Sequence, residues 1–442
     1  MTDRDQDLHD APVDAHAAER VAARGLRLDR VDGADHAQVG RWFDAVTRGF
    51  LEAAPAEARR RGFIDQMGYQ RKLGVYDAQA PQPDEPVATF ASWTGELTVP
   101  GGAMPVRAIT SVTVAPTHRR RGLLRSMMAG ELRLAAEHGL PAAALTVSES
   151  TIYGRFGFGP AVLAATWELD VPRARWVGPD APGRVDFVSR AQGRALVEPL
   201  HERFRRVSPG ELSMPGGHWD RIFGTRPDAD KADQLRVVQY RSVDDAGVAG
   251  DVEGVAVYKA TENADDFTKS AIDVILLLAV TEEAYAGLWH FFLSMDLIGT
   301  LRASELAVDE PLWWMIADQR AARITGRDHQ YLRILDVPAA LASRRYDVAE
   351  TVVLEVADSL EIADGTFVLT TDAGGTASVD VVDDAPVGVP LVRLGVAELS
   401  SVLLGGVSPV ALARAGRIQT DDPALLARMF ATPAAPRLSF WY

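Results

Sequence analysis

The run Val112-Thr113-Val114-Ala115-Pro116-Thr117-His118-Arg119-Arg120-Arg121-Gly122-Leu123-Leu124-Arg125 reads as a strand, a short basic loop carrying a glycine, and the first turn of a helix. Backbone N–H groups converge at such a junction, on the positive end of the helix dipole, and make a seat for a phosphate or pyrophosphate. The flanking arginines add charge-assisted hydrogen bonds. Leu124, Met127, Met128, Leu132 and Ala135 recur at helical spacing and give the helix one apolar face. Gly139 then stands where a C-terminal glycine belongs, and Pro141 prevents continuation. The small apolar run from 142 to 147 reads as a buried strand. Strand, loop, helix, strand is a βαβ unit, which takes its ligand at the C-terminal end of the strand. A solvated helix start or a nucleic-acid patch is the competing reading of the arginines, and the agreement of the whole unit argues against it.

Two more stretches carry chemistry. Ser148-Glu149-Ser150-Thr151-Ile152-Tyr153-Gly154-Arg155-Phe156-Gly157-Phe158-Gly159-Pro160 follows the buried strand and places a tyrosine at a helix start. Its glycines mimic a nucleotide loop, but no strand directly precedes them, so they read as turn positions. The tail Pro436-Arg437-Leu438-Ser439-Phe440-Trp441-Tyr442 ends in consecutive aromatics. Chain ends are usually frayed and polar, so this tail is expected to be docked, inside its own chain or on a neighbouring subunit. The nine histidines form no metal-ligand spacing, and no metal is expected.

These residues must be positioned by a chain of 442 residues, enough for roughly two to four domains. The formal net charge of −15 disfavours a nucleic-acid partner and suits a protein that handles cations. There is no cysteine, hence no disulfide scaffold. No apolar run approaches the ~20 residues of a membrane span, and the acidic start lacks the features of a signal peptide; a cytoplasmic protein is expected. Residues 1–25 are polar, Asp- and Ala-rich and free of aromatics, and read as a disordered extension. From there to about residue 173 helices and strands alternate. A helix over 39–50 turns Trp42, Phe43, Val46 and Phe50 inward, and strands at 87–93 and 104–114 lead into the basic loop. Pro172, Pro179 and Pro182 mark a linker. A second α/β segment has its buried strand at 273–280, followed by Thr281 as N-cap and by Glu282 and Glu283 in the first helical turn. Carboxylates there repel a pyrophosphate, so this segment reads as a similar fold without a phosphate site. Trp313 and Trp314 read as core or domain interface. From Tyr331 onward, strands near 352–356 and 367–370 and later helices make a small α+β domain.

The spacing Arg119-x-x-Gly122-x-Leu124 resembles the coenzyme A loop of the GNAT N-acetyltransferases, Arg/Gln-x-x-Gly-x-Gly/Ala, with Leu124 departing at the last place. With the segment around Tyr153, a degenerate second α/β domain, a third domain resembling sterol carrier proteins and an aromatic last residue, the chain after residue 25 resembles the Eis (enhanced intracellular survival) family. The fold class expected is α+β: a GNAT acetyltransferase domain at 26–176, a degenerate GNAT-like domain at 177–330 and a sterol-carrier-protein-like domain at 331–442. The resemblance implies an acetyl-CoA-dependent N-acetyltransferase acting on amines of cationic substrates such as aminoglycosides, at several positions. Acetylation of protein lysines or polyamines is the alternative within enzymes. A non-catalytic coenzyme- or lipid-binding protein is the alternative outside them. The resemblance further implies Tyr153 as general acid and the α-carboxylate of Tyr442 as general base. It implies acetyl-CoA along Val112, Thr113 and Val114 and along Arg120, Arg121, Gly122, Leu123, Leu124 and Arg125, with Ser148 and Glu149 nearby. It also implies a homohexamer. Tyr442 stands where relatives often end in Phe, and Thr146 where a relative can carry His.

The residues suit that chemistry. The amine must lose a proton, the developing oxyanion needs donors, and the departing thiolate needs a proton. Thiol and phenol pKa values lie within roughly two units of each other, so a tyrosine can supply it. Backbone N–H groups between 111 and 114 can serve an amide and a carbonyl oxygen, and a carboxylate both attracts an ammonium and accepts its proton.

Overall fold

The computed structural model describes residues 3–226, 229, 231–244 and 246–442. It divides into two compact units: Met1–Ala161 with Gln330–Thr432 and Tyr442, and Val162–His329 with Pro433–Trp441. Among the described residues no helix is long and apolar enough to cross a membrane.

The first unit opens with α1 (Asp3–Asp10) and α2 (Ala15–Ala22). The expectation of a disordered extension is therefore corrected from Asp3 onward; Met1 and Thr2 lie outside the described residues. The segment has few apolar groups, but Leu8, Ala11, Ala17 and Val21 are all buried in the same core as Met127 and Leu132. It docks by specific polar contacts as well. Asp14 caps α2 by accepting from the Ala17 N–H at 2.7 Å and pairs with Arg133 at 2.6 Å. The fully buried Arg71 guanidinium donates to the main-chain oxygens of His9 (3.2 Å), Ala11 and Pro12 (3.0 Å). It also pairs with the buried Glu131 at 3.1 Å, which Arg107 approaches at 3.4 Å.

The sheet of this unit is an antiparallel meander, β1 (Arg27–Arg30), β2 (Arg71–Tyr76), β3 (Ala88–Val99) and β4 (Gly102–Val114). On it lie α3 (His36–Gly49) and α4 (Glu57–Gln66). Trp42, Phe43 and Val46 of α3 are buried as expected, whereas Phe50 is 47% exposed, because the helix ends at Gly49 and Phe50 is its C-cap. After β4 comes α5 (Leu123–Glu137), then β5 (Ala142–Thr146) parallel to β4. Met127, Met128, Leu132 and Ala135 of α5 show no exposure; each large side chain buried this way contributes about 1.5–3 kcal/mol. The other side of β5 pairs antiparallel with residues 330–334, Thr146 opposite Gln330 and Ala142 opposite Ile334. A short α6 (Ser150–Tyr153) follows β5.

The second unit repeats this plan. Its strands are β6 (Gly159–Asp170) from Val162 onward, β7 (Arg184–Val188), β8 (Leu235–Val243), β9 (Ala249–Thr261), β10 (Ser270–Ala279), β11 (Ile298–Leu306) and β12 (Ala322–Ile334) as far as His329. β7 to β10 form an antiparallel meander, the helix Glu282–Leu293 follows, and β11 returns parallel to β10. The change of unit falls inside β6, between Ala161 and Val162, ahead of the proline cluster that marks a linker in the sequence. The strand runs through because residues 161–167 are mostly buried apolar groups. Trp313 packs on this unit's core, but Trp314 is 77% exposed and is not core: the two sit in one short 3-10 helix, Pro311–Trp314, where neighbours face different ways. The tail is docked here. Phe440 meets His201 and Trp219, the Ser439 N–H donates to Glu211 at 2.8 Å, and Arg221 donates to the Trp441 main-chain oxygen at 3.0 Å.

The remainder of the first unit is a five-stranded sheet in the order β15 (Ala377–Val382), β14 (Gly365–Thr371), β13 (Thr351–Ala357), β16 (Leu391–Gly395) and β17 (Ile418–Gln419). Helices Val396–Val402, Pro409–Arg414 and Pro423–Met429 accompany it. The buried Arg333 ties it down, donating to the Phe156 oxygen at 2.8 Å and to Asp358 at 2.5 Å.

Candidate active site

The site begins with an irregularity in β4. Thr89 pairs with Thr113 but Ala91 pairs with Thr110, so β4 carries one residue more than β3 between these pairs. Ser111 takes up the extra length at φ 52°, and Thr89 Oγ1 donates to its main-chain oxygen at 2.9 Å. Such a bulge bends a strand and re-aims its backbone. The parallel pairing of β4 with β5 ends at Ile109 opposite Leu145. Past that pair, Val112, Thr113 and Val114 run on along β3 alone, with the edge on the β5 side left to other partners.

The loop after β4 turns through the 3-10 helix Pro116–His118. His118 is held from both nitrogens, by Asp77 at 3.0 Å and by Thr117 Oγ1 at 2.8 Å; that hydrogen bond keeps the Asp77 carboxyl below its ordinary range. Arg120 has φ 63°, and Gly122, at φ 73°, is the N-cap of α5. A glycine adopts this left-handed conformation without strain. No side chain caps α5 and no acidic residue stands in its first turn, so its leading N–H groups face outward without a counter-charge. Arg119, Arg120, Arg121 and Arg125 are exposed and form no ion pair among the described residues. Leu123 is buried and Leu124 packs half-buried on the core, which lets a leucine occupy the loop's last place. In the second unit the corresponding junction is closed by chemistry of the opposite sign: Thr281 accepts from the Ala284 N–H at 3.2 Å, and Glu282 and Glu283 fill the first turn.

Beyond β5, Ser148 and Glu149 are exposed and Tyr153, at the end of α6, is 6% exposed. Its ring stands edge-on to Phe158, centroids 6.1 Å apart. Burial holds the Tyr153 hydroxyl above the ordinary phenol range; a hydrogen bond with Ser148 opposes this and the Glu149 charge adds to it. Tyr442 meets the same strand end. Thr146 Oγ1 donates to the Tyr442 main-chain oxygen at 2.5 Å. Its ring packs edge-on against Trp93, centroids 5.2 Å apart at 78°. Its phenol is driven up by complete burial, with the neighbouring Gln330 side chain opposing the shift. Among the described residues no group of His, Asp and Glu gathers in a way that could hold a metal ion.

Comparison with known proteins decides the family. Residues 30–161 and 210–334 each match an acetyltransferase (GNAT) domain, and residues 337–439 match a sterol carrier protein domain. An N-acetyltransferase of Streptomyces avermitilis is 38% identical over 87% of this chain and 91% of its own. The N-acetyltransferase Eis of Mycobacterium tuberculosis is 36% identical over 77% of this chain and 81% of its own. The chain belongs to the Eis family of GNAT N-acetyltransferases. The crystal structure of Eis1 from Mycobacterium abscessus superposes on it with a TM-score of 0.79 and 28% identity, covering 94% of this chain and all of that one. The protein is an N-acetyltransferase, and its α+β fold is two GNAT domains followed by a sterol-carrier-protein-like domain.

Within this family frame, the residues singled out from sequence fall into two groups at the ends of β4 and β5. One comprises Val112–Val114 and the Arg120–Arg125 turn. The other comprises Ser148, Glu149, Tyr153 and, through Thr146, Tyr442. Trp93 and Gln330, which neighbour Tyr442, and Arg24, which lies beside Gly122, were not singled out from sequence. None of the three carried a local signal, Gln330 lying in a strand of mixed polar and apolar residues, since only the fold brings Trp93 and Gln330 to Tyr442 and Arg24 to Gly122.

Proposed function

We propose that the enzyme transfers acetyl from acetyl-CoA to amines of small, multiply charged cations, aminoglycosides among them, at more than one position. The observation that carries this reading is the hydrogen bond from Thr146 to Tyr442 at the end of β5, which fixes the last residue of the sequence beside the strand end that leads to Tyr153. GNAT acetyltransferases draw on acetyl-CoA, which supplies the activated acetyl group. The residues here fit it: an uncapped helix N-terminus with Gly122 at its head, unpaired arginines around it, and a β4 edge not claimed by β5. N–H groups of Val112–Val114 would hold its amide and carbonyl groups, and the 120–125 turn its phosphates.

In this reading Tyr153 is the general acid. Its raised pKa keeps the proton in place at neutral pH until a thiolate departs. The α-carboxylate of Tyr442 is the general base: it draws in an ammonium group and takes its proton. The net charge of −15 supports a cationic acceptor. A thiol-release assay with acetyl-CoA tests the proposal across aminoglycosides, polyamines, lysine peptides and neutral amines. Aminoglycosides should react, with more than one acetyl added by mass and an apparent KM that rises with salt. Reaction confined to lysine peptides would move the assignment to protein acetylation, and preference for neutral or anionic amines would overturn it.

A further inference from the structure

We infer that the N-terminal segment forms part of the coenzyme site, with the Arg24 guanidinium binding a phosphate of the acyl donor. The inference rests on the reading of the 120–125 turn as the phosphate seat. The segment is fixed, not draped. α2 crosses α5 so closely that a Cβ on Gly130 would lie 2.9 Å from Ala17 Cβ and 3.0 Å from Asp14 Cβ, and only glycine permits the approach. The Asp14–Arg133 pair and the Arg71 contacts to His9, Ala11 and Pro12 lock the same segment from two sides.

That docking delivers Arg24 to the head of α5. Arg24 Nη1 donates to the Arg20 main-chain oxygen at 2.6 Å, which orients the guanidinium. Nη2 then lies 3.1 Å from the point a Cβ on Gly122 would occupy. The group is exposed and has no carboxylate partner among the described residues. A cation set against the positive end of a helix is repelled by it, and here Arg119, Arg120, Arg121 and Arg125 crowd the same place. In a chain of net charge −15, this concentration of exposed cations around uncapped N–H groups, with Asp77 near Arg121 as an acidic neighbour in the electrostatics of the turn, suits a multivalent anion. Acetyl-CoA carries two kinds, a pyrophosphate and a 3′-phosphate, and Arg24 suits either by charge-assisted hydrogen bonds.

The test is calorimetric binding of acetyl-CoA to the full-length protein. Arg24→Gln should weaken the Kd about tenfold, the usual effect of losing a hydrogen bond to a charged group, with an unchanged melting temperature. Arg20→Gln, which removes the same charge from the same helix end, should stay within about twofold. Dephospho-acetyl-CoA identifies the phosphate: a persisting Arg24 effect assigns the pyrophosphate, a vanished one the 3′-phosphate. Wild-type affinity in Arg24→Gln, or equal weakening by Arg20→Gln, overturns the inference. Gly122→Val separates this from failure of the site itself. If it abolishes binding while Arg24→Gln does nothing, only the Arg24 role falls; if neither matters, the phosphate seat lies elsewhere.

Discussion

Thr146 Oγ1 and the main-chain oxygen of Tyr442 meet at 2.5 Å although 296 residues separate them in sequence. Thr146→Val keeps the volume and removes the donor. A hydrogen bond to a charged acceptor is worth ~1.5–3 kcal/mol, so kcat should fall about tenfold or more while acetyl-CoA affinity measured by calorimetry holds. Thr146→Ser should recover most of the rate.

A short extension after Tyr442 displaces the charge and leaves the aromatic side chains in place. Turnover should drop sharply, with little change in melting temperature. Full activity in the extended protein would assign the base to another carboxylate.

Tyr153→Phe should retain coenzyme binding and lose ~10²–10⁴ in kcat, the range for a general acid. Steady-state kinetics beside calorimetry separates the two effects. Because burial raises this phenol, the alkaline limb of the wild-type kcat profile should lie above the ordinary tyrosine range or be absent up to it.

Lys72 is 4% exposed, donates to the Gln70 main-chain oxygen at 3.1 Å, and lies over the Phe63 ring. Burial lowers its pKa from 10.5 to about 8. Between these values the unfolded chain holds the proton and the folded one does not, so this group makes stability rise with pH across that window. Denaturant unfolding of Lys72→Met from pH 8 to 10.5 should show a flatter dependence than wild type, whatever the net effect on stability.

Removal of residues 1–13 strips Arg71 of three main-chain acceptors. With unsatisfied buried groups costing about 1–3 kcal/mol each, stability should fall by at least ~3 kcal/mol, read as a lower urea midpoint.

The strand–turn–helix at Gly122 was legible because every level agreed: Gly122 as the helix N-cap and the 3.6-residue spacing of the buried Met127, Met128, Leu132 and Ala135. The cap and acidic first turn of the second copy's helix were legible too, from Thr281, Glu282 and Glu283. The N-terminal helices were not. Their buried apolar content is four small or medium side chains, Leu8, Ala11, Ala17 and Val21, and what orders them is Gly130 and Arg71, far along the chain. Burial of Gln330 opposite Thr146 was likewise hidden, since strand pairing over such a separation leaves no local period. Phe50 and Trp314 show the converse: Phe50 ends the helix that buries Trp42 and Phe43, and Trp314 follows the half-buried Trp313, yet a cap or turn puts each into solvent.

The chain leaves its first unit at Ala161 and re-enters it at Gln330, and this sets an order of events on the ribosome. The nascent β5 emerges with β4 on one side and nothing on the other until residues 330–334 have been made. During that interval the edge of a largely apolar strand is open, the kind that recruits stray chains. A product truncated near residue 161 would carry the coenzyme turn and Tyr153 yet keep that edge permanently bare. Such a fragment should aggregate rather than work, so the acetyltransferase portion is not a separable module and its synthesis depends on the chain being finished.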